Sequence, residues 1–193
     1  MASRVSAASQ FAVYGPTFLD VVMGPLDGPP VPGHEAWVEG ALMCAGGAAN
    51  QAIALARLGA PVRLHSRVGV DQMGAFVDEM LAREGVDTSS CERVGDQNVT
   101  VSLFFDGDRA MTTRGTTELP RLGGDAPACL LADVRGISGN TEIVSSWRER
   151  GTWVLADTAW DEAGAWDEAD LESLRLADVC TPNEAEALAY ART

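Results

Sequence analysis

Cys44-Ala-Gly-Gly-Ala-Ala-Asn50 runs without a break into Gln51-Ala-Ile-Ala-Leu-Ala-Arg-Leu58, and Gly59 ends the run. The second part is helical in pattern, and a glycine just past its last apolar residue is a normal helix stop. Val62-Arg-Leu-His-Ser-Arg-Val68 follows and alternates at period two, as a strand does. The weakly alternating Trp37–Met43 before the junction reads as a strand as well. A small-residue loop leading into a helix, then a strand, is the repeating unit of an α/β fold.

The pattern continues outward in both directions. Phe11-Ala-Val-Tyr14 is an apolar run stopped by Gly15-Pro16 and reads as a first, buried strand. Gly24 to Gly33 is rich in Pro and Gly and reads as a surface loop. Gly74 to Glu84 carries Phe76, Val77, Met80 and Leu81 on one helical face, with Gly85 after it. Asn98 to Phe105 alternates, and Asp106-Gly-Asp108 turns it into a return strand to Arg114. From Ala128 the order is strand (129–132), helix (141–150), strand (152–156), helix (167–175), short strand (177–180), and a helix from Thr181 onward. The fold expected is therefore a Rossmann-like, doubly wound α/β sheet, with the hairpin near Asp106 outside it.

Composition narrows the function. The chain has 193 residues, 14 basic against 28 acidic, for a net charge of −14. That balance argues against nucleic acid and membrane surfaces as partners, since phosphate is repelled at long range. No apolar run approaches the roughly 20 residues of a membrane span. All the basic residues are Arg, and there is no Lys. A Walker A loop, a Schiff-base enzyme and a protein-kinase site each need a Lys, so all three are excluded. Two His, His34 and His65, cannot make a three-His zinc site, and His65 reads as a satisfied, semi-buried side chain. Cys44, Cys91, Cys129 and Cys180 have no C-x-x-C spacing and read as buried free thiols of a reducing compartment. Met1 to Gln10 lacks the apolar core of a secretion signal, so a cytoplasmic protein is expected.

Three segments could carry chemistry, and each also has a purely structural reading. Gly46, Gly47 and Asn50 sit at a helix start, where small residues admit a ligand to free N–H groups. The Asn50 amide suits a sugar hydroxyl. The same residues also suit a tight helix–strand junction. Asp20, after the first strand, stands where α/β folds place ligand groups and could accept two hydroxyls of a polyol. It could equally cap a turn. Asn183 and Glu186 have the spacing of a capping box. They could also stand near magnesium and phosphate, acting through water. Asp106 and Asp108 read as turn residues rather than metal ligands. Trp147, Trp153, Trp160 and Trp166 read as core or rim packing rather than a base-stacking platform.

Together these segments resemble the ribokinase/PfkB-type carbohydrate kinases. The resemblance runs from Gly46-Gly-Ala-Ala-Asn50 to Gly59, through Arg67-Val-Gly-Val-Asp71, Gly74 and Leu81, to Glu84-Gly-Val-Asp87. A second part is Leu176-Ala-Asp-Val-Cys-Thr-Pro-Asn-Glu-Ala-Glu186, similar to the family's N-x-x-E segment. A third is Val13-Tyr-Gly-Pro-Thr-Phe-Leu-Asp20, similar to its first strand and substrate-binding Asp. It covers the chain from Phe11 onward, so one kinase domain is expected over 11–193. Lid segments are expected at about 34–45 and 96–115.

The resemblance implies transfer of a phosphoryl group from ATP, with Mg2+, to a sugar or nucleoside hydroxyl. Asp20, Gly46, Gly47 and Asn50 would hold the acceptor. Asn183 and Glu186 would serve the cofactor side, Glu186 reaching the metal through water. A homodimer through the lid is also within the family's habit. The sequence departs from the ribokinase pattern at Phe18, Ala45, Gly47 and Arg135, which argues against ribose itself. The family's glycine-rich G-A-G-D segment, with its anion hole and general base, has no match. The base is therefore expected beyond Thr193, the last helix is expected to be cut short, and the 193 residues alone are not expected to turn over. The expectation is an N-terminal fragment that keeps the sugar-binding half. The alternatives are a complete, non-catalytic sugar-binding module, a nucleoside kinase of the same family, and a subunit completed by a partner chain.

Overall fold

Alternation along one short strand separates two cores. In β1 (Phe11–Tyr14), Val13 joins one apolar cluster while Ala12 and Tyr14 join the other, so the strand is covered on both faces. The structure is a computed structural model and describes residues 10–158, 161, 164–166 and 168–191. The first half contains β2 (Thr17–Gly24), β3 (Gly40–Gly47), α1 (Ala48–Arg57), β4 (Val62–His65), β5 (Arg67–Val68) and α2 (Gln72–Arg83). Then come β6 (Glu92–Arg93), β7 (Asn98–Phe105), β8 (Asp108–Arg114), β9 (Cys129–Asp133), α3 (Val134–Ser138) and α4 (Thr141–Glu149). The remainder is β10 (Trp153–Asp157), α5 (Glu168–Ser173), a 3-10 turn (Leu174–Leu176), β11 (Val179–Cys180) and α6 (Glu184–Ala191).

The main sheet has the order β11-β10-β9-β1-β4, all parallel. Helices α1 and α2 cover one face with Ala49, Ala52, Val77 and Leu81. Helices α3 and α4 cover the other with Ile137, Val144 and Trp147. This is the doubly wound α/β sheet expected. Its strand order reverses beside β1, between β4 on one side and β9 on the other. The carboxyl ends of β1 and β9 are thus the topological switch point, where such sheets leave a crevice.

A second, four-stranded sheet has the order β3-β2-β7-β8. The hairpin of β7 and β8 was expected outside the main sheet and lies there. The sheet also takes in β2, which the sequence did not assign to it. Its other edge strand begins at Gly40 rather than Trp37 and runs on through Gly47. Gly46 and Gly47 are therefore the end of a strand rather than a loop, and α1 starts three residues earlier than its periodicity suggests. Leu19, Ala45 and Val99 carry this sheet onto the α1–α2 core.

Trp147 is core, as expected, and Trp166 packs edge-on against Tyr190 with ring centroids 5.2 Å apart. Trp153 is exposed instead. Trp160 and the Met1–Ser9 stretch lie outside the described residues. No helix among the described residues is long and apolar enough to cross a membrane.

Candidate functional site

The chain leaves β1 at Gly15-Pro16 and crosses at once into the second sheet. Thr17 is fully buried there, and its hydroxyl meets that of Ser66 at 2.8 Å. Ser66 in turn donates to the Gly15 carbonyl at 2.6 Å. Buried Gln97 completes the anchor, donating to the Thr17 carbonyl at 2.9 Å and accepting from the Gly69 N–H at 3.0 Å. Asp71 caps α2 through the Gly74 N–H and also accepts from the Gln97 N–H. This explains Arg67-Val-Gly-Val-Asp71 and Gly74: a side chain on Gly69 would run into the Gln97 backbone, and one on Gly74 into Gly69. These residues are scaffold, and what they hold in place is the start of β2.

Asp20 sits in the middle of β2, not at the carboxyl end of a main-sheet strand. In register it faces Cys44 of β3 on one side and Thr100 of β7 on the other. Its half-buried carboxylate accepts no hydrogen bond among the described residues. Burial pushes its pKa up, and the Arg109 guanidinium pulls it partly back. Both carboxylate oxygens lie directly over Gly46, in space that any side chain there would fill. Gly47, with φ of 62°, turns the strand into α1, and a side chain on it would strike the Pro16 carbonyl and the Phe18 ring. Asn50 stands exposed in the first turn of α1.

Gly47 also lines the switch-point crevice, about 230 Å³ in volume, with Gly15, Pro16, Gln51, Asp133 and Asp157. Asp133 caps α3 through the Gly136 N–H at 2.6 Å, and burial raises its pKa. Asp20 and Gly46 are thus brought together where β2 and β3 run side by side, Gly47 ends that strand, and Asn50 stands in the first turn of α1 just beyond it.

Asn183 and Glu186 form the capping box that their spacing predicts. The Glu186 N–H donates to Asn183 Oδ1 at 2.9 Å, and the Asn183 N–H donates to Glu186 Oε2 at 3.2 Å. Glu186 is buried, and Oε2 also accepts from the Thr158 hydroxyl at 2.6 Å. Its other oxygen, Oε1, has no hydrogen bond among the described residues. Arg135, on α3, pairs with Asp161 at 2.9 Å. His65 is buried and its pKa is lowered to about 4, chiefly by burial and then by Arg63. No group of three or more metal-ligating side chains occurs among the described residues.

Sequence reading missed the polar row on β7. Asn98, Thr100 and Ser102 are all buried, and they alternate with Val99, Val101 and Leu103. That alternation was available as a signal of a strand with one polar face turned toward a site.

The model that matches residues 38–117 is that of the pfkB family carbohydrate kinases. A ribokinase of Haemophilus influenzae is 30% identical over 155 residues, covering 74% of this chain and 49% of its own length. The chain belongs to the PfkB-type carbohydrate kinase family. A 2-dehydro-3-deoxygluconokinase of Bacillus subtilis is 37% identical over 90 residues, covering 40% of this chain and 28% of its own. This PfkB-family chain thus spans half or less of those curated relatives. The structure of a fructokinase with bound ATP from Xylella fastidiosa superposes with a TM-score of 0.74 at 22% identity. The overlap covers 96% of this chain and 61% of that one. At that identity the likeness speaks for the fold.

Proposed function

We propose that this chain is the acceptor-binding part of an ATP-dependent carbohydrate kinase, which moves a phosphoryl group from ATP to a sugar hydroxyl. The observation that carries the reading is the Asp20 carboxylate, half-buried, without a donor among the described residues and laid over the bare backbone of Gly46. A polar group so placed wants hydrogen-bond donors, and adjacent sugar hydroxyls supply two at once. Gly46 and Gly47 keep the approach open. Asn50 presents an amide that both donates and accepts. Phosphoryl transfer rests on positioning and on charge stabilisation, and holding the acceptor is the positioning half.

For the cofactor side the reading uses Asn183 and Glu186. Asp133, Asp157 and Glu186 close the carboxyl ends of β9, β10 and the segment after β11, so this rim would repel a nucleotide phosphate. Mg2+ offsets that repulsion, and it needs only one or two carboxylates besides phosphate and water. Glu186 keeps Oε1 for a water-mediated contact, while Oε2 holds Asn183 and Thr158 in place. The second sheet serves as the lid, and a homodimer through it belongs to the same reading. Four free cysteines, of which Cys129 alone is buried where burial of all four was expected, suit a cytoplasmic location.

The names of the relatives point to two kinds of acceptor, ribose and a sugar acid. Phe18 beside Gly47, and Arg135 held by Asp161, weigh against ribose. The test is a transfer assay on the longest protein the gene encodes. Labelled ATP and Mg2+ are supplied with neutral sugars, sugar acids and nucleosides. Labelled product from at least one sugar is expected. No product from any sugar overturns the reading, and product from nucleosides alone moves it to a nucleoside kinase.

A further inference from the structure

The edge strand of the main sheet is left uncovered on one face. Ala12 pairs in register with Arg63 and Tyr14 with His65, so these four side chains stand on the same side of the sheet. The second apolar cluster takes in Ala12 and Tyr14 and ends there, with no residue of β4. Helix α3 packs over β9 and β10, two and three strands away from β4. A cavity of about 360 Å³ remains between β4 and the segment that leads into β9. Ala12 forms its floor, Arg63 and His65 one wall, and Gly123, Ala126 and Pro127 the other. It shares no lining residue with the switch-point crevice. Its volume falls within the range of small-molecule sites.

His65 was expected to be satisfied, and it is not. The residue is only 8% exposed, yet its imidazole makes no hydrogen bond among the described residues. A polar side chain buried to that degree is normally paired. Burial, and then the charge of Arg63, keep the imidazole neutral down to about pH 4. It therefore offers the cavity one donor nitrogen and one acceptor. Arg63 stands two residues back, about 7 Å along the same wall. Its Nε donates to Asp87 at 2.7 Å, and its two terminal nitrogens have no partner among the described residues.

Charge and the placing of the polar groups narrow the ligand. The Arg63 guanidinium repels a cation. Its own charge is already met by Asp87, and Asp125 stands exposed at the rim, so an anion would be left uncompensated. The buried polar groups are on the β4 wall, while Ala126 and Pro127 face them. A sugar would turn hydroxyls against that apolar wall and leave them unpaired. A flat ring with its polar atoms along one edge suits both walls.

We propose that this cavity binds an uncharged nitrogen heterocycle of the nucleobase class. Arg63 donates to a ring or carbonyl acceptor, and His65 accepts from the N–H beside it. An edge with donor and acceptor side by side is what a base such as adenine carries. The site is separate from the acceptor site and does not rest on the reading of Asp20.

The test is NMR of the chain carrying isotope-labelled histidine, titrated with adenine, uracil, adenosine, AMP, D-ribose and inorganic phosphate. The chain has two histidines, and His34, exposed between β2 and β3, is the internal control. Adenine or uracil should shift the His65 resonances saturably and leave those of His34 in place. Ribose and phosphate should move neither. Shifts from adenine alone, or from adenine and adenosine equally, both support the site and tell a free base from a nucleoside as the source. Calorimetry on His65→Leu, shown to be folded by circular dichroism, should find the base bound about 10-fold or more weakly than by wild type. If that variant does not fold, the wild-type shifts decide. Added salt should leave the affinity of the base unchanged.

No shift of His65 with any base overturns the proposal. So do shifts that ribose or phosphate reproduce, and a base affinity that a folded His65→Leu keeps. AMP bound more tightly than adenine and adenosine overturns the choice of an uncharged ligand.

Discussion

The carboxylate of Asp20, on β2, occupies the space that a side chain on Gly46, on β3, would need. The glycine is there because the acid is there. Each makes sense only with the other, though 25 residues of loop and strand separate them in sequence. Gly46→Ala should therefore drive the Asp20 side chain out of place. Sugar binding should weaken about 10-fold or more, because contacts to a charged group are lost. Overpacking should cost about 1–3 kcal/mol of stability. Calorimetric titration and urea unfolding of the same variant check the two effects separately.

Glu186 holds the last helix to the main sheet. It closes the capping box with Asn183 and takes the Thr158 hydroxyl from the end of β10. Glu186→Ala removes both contacts and should lower stability by about 1–3 kcal/mol. Glu186→Gln keeps an acceptor oxygen for the Asn183 N–H and should cost clearly less. Urea denaturation of the three proteins measures the difference.

Gly69 supports the acceptor site from a distance. Its Cα faces the Gln97 backbone, and Gln97 holds the first residue of β2. Gly69→Ala should destabilise the fold by about 2 kcal/mol or more, since backbone cannot yield as a side chain can. Thermal unfolding followed by circular dichroism should show a drop of several degrees.

His65 predicts how stability changes with acid. Burial, with Arg63 adding to it, lowers its folded pKa to about 4, against about 6.5 when unfolded. Between those values the unfolded chain binds the extra proton, so stability is full above pH 6.5 and falls as pH drops toward 4. The loss should be about 2–3 kcal/mol. Asp20 and Asp133, raised by burial, act in the opposite sense as pH falls. Comparing wild type with His65→Gln isolates the imidazole. The difference in urea-unfolding free energy between the two should change across that window and be flat above it.

The parts legible in the sequence were those set by local patterns. The α1 and α2 helices, the β7–β8 hairpin and the Asn183–Glu186 capping box each depend on residues a few positions apart, and each is present. Periodicity placed Asn98–Phe105 to the residue. It missed that β2 joins the second sheet, because Thr17–Gly24 pairs with β3 and β7, strands 16 to 74 residues further on, and strand partners leave no local mark. It also placed Gly46 and Gly47 in a loop. Glycine weakens a strand on propensity, and here the close approach of Asp20 overrides propensity. Of the site residues legible in the sequence, Asp20 and Gly46 meet across β2 and β3, and Gly47 and Asn50 follow at the turn into α1.

The acceptor-site reading of Asp20 is tested most directly by calorimetric titration of the wild-type chain and of Asp20→Asn with the same panel of sugars. The account predicts saturable one-to-one binding of at least one sugar by wild type. It predicts that Asp20→Asn, folded to the same degree, binds that sugar about 10-fold or more weakly. Equal binding by the two proteins, or no binding by wild type, would contradict it.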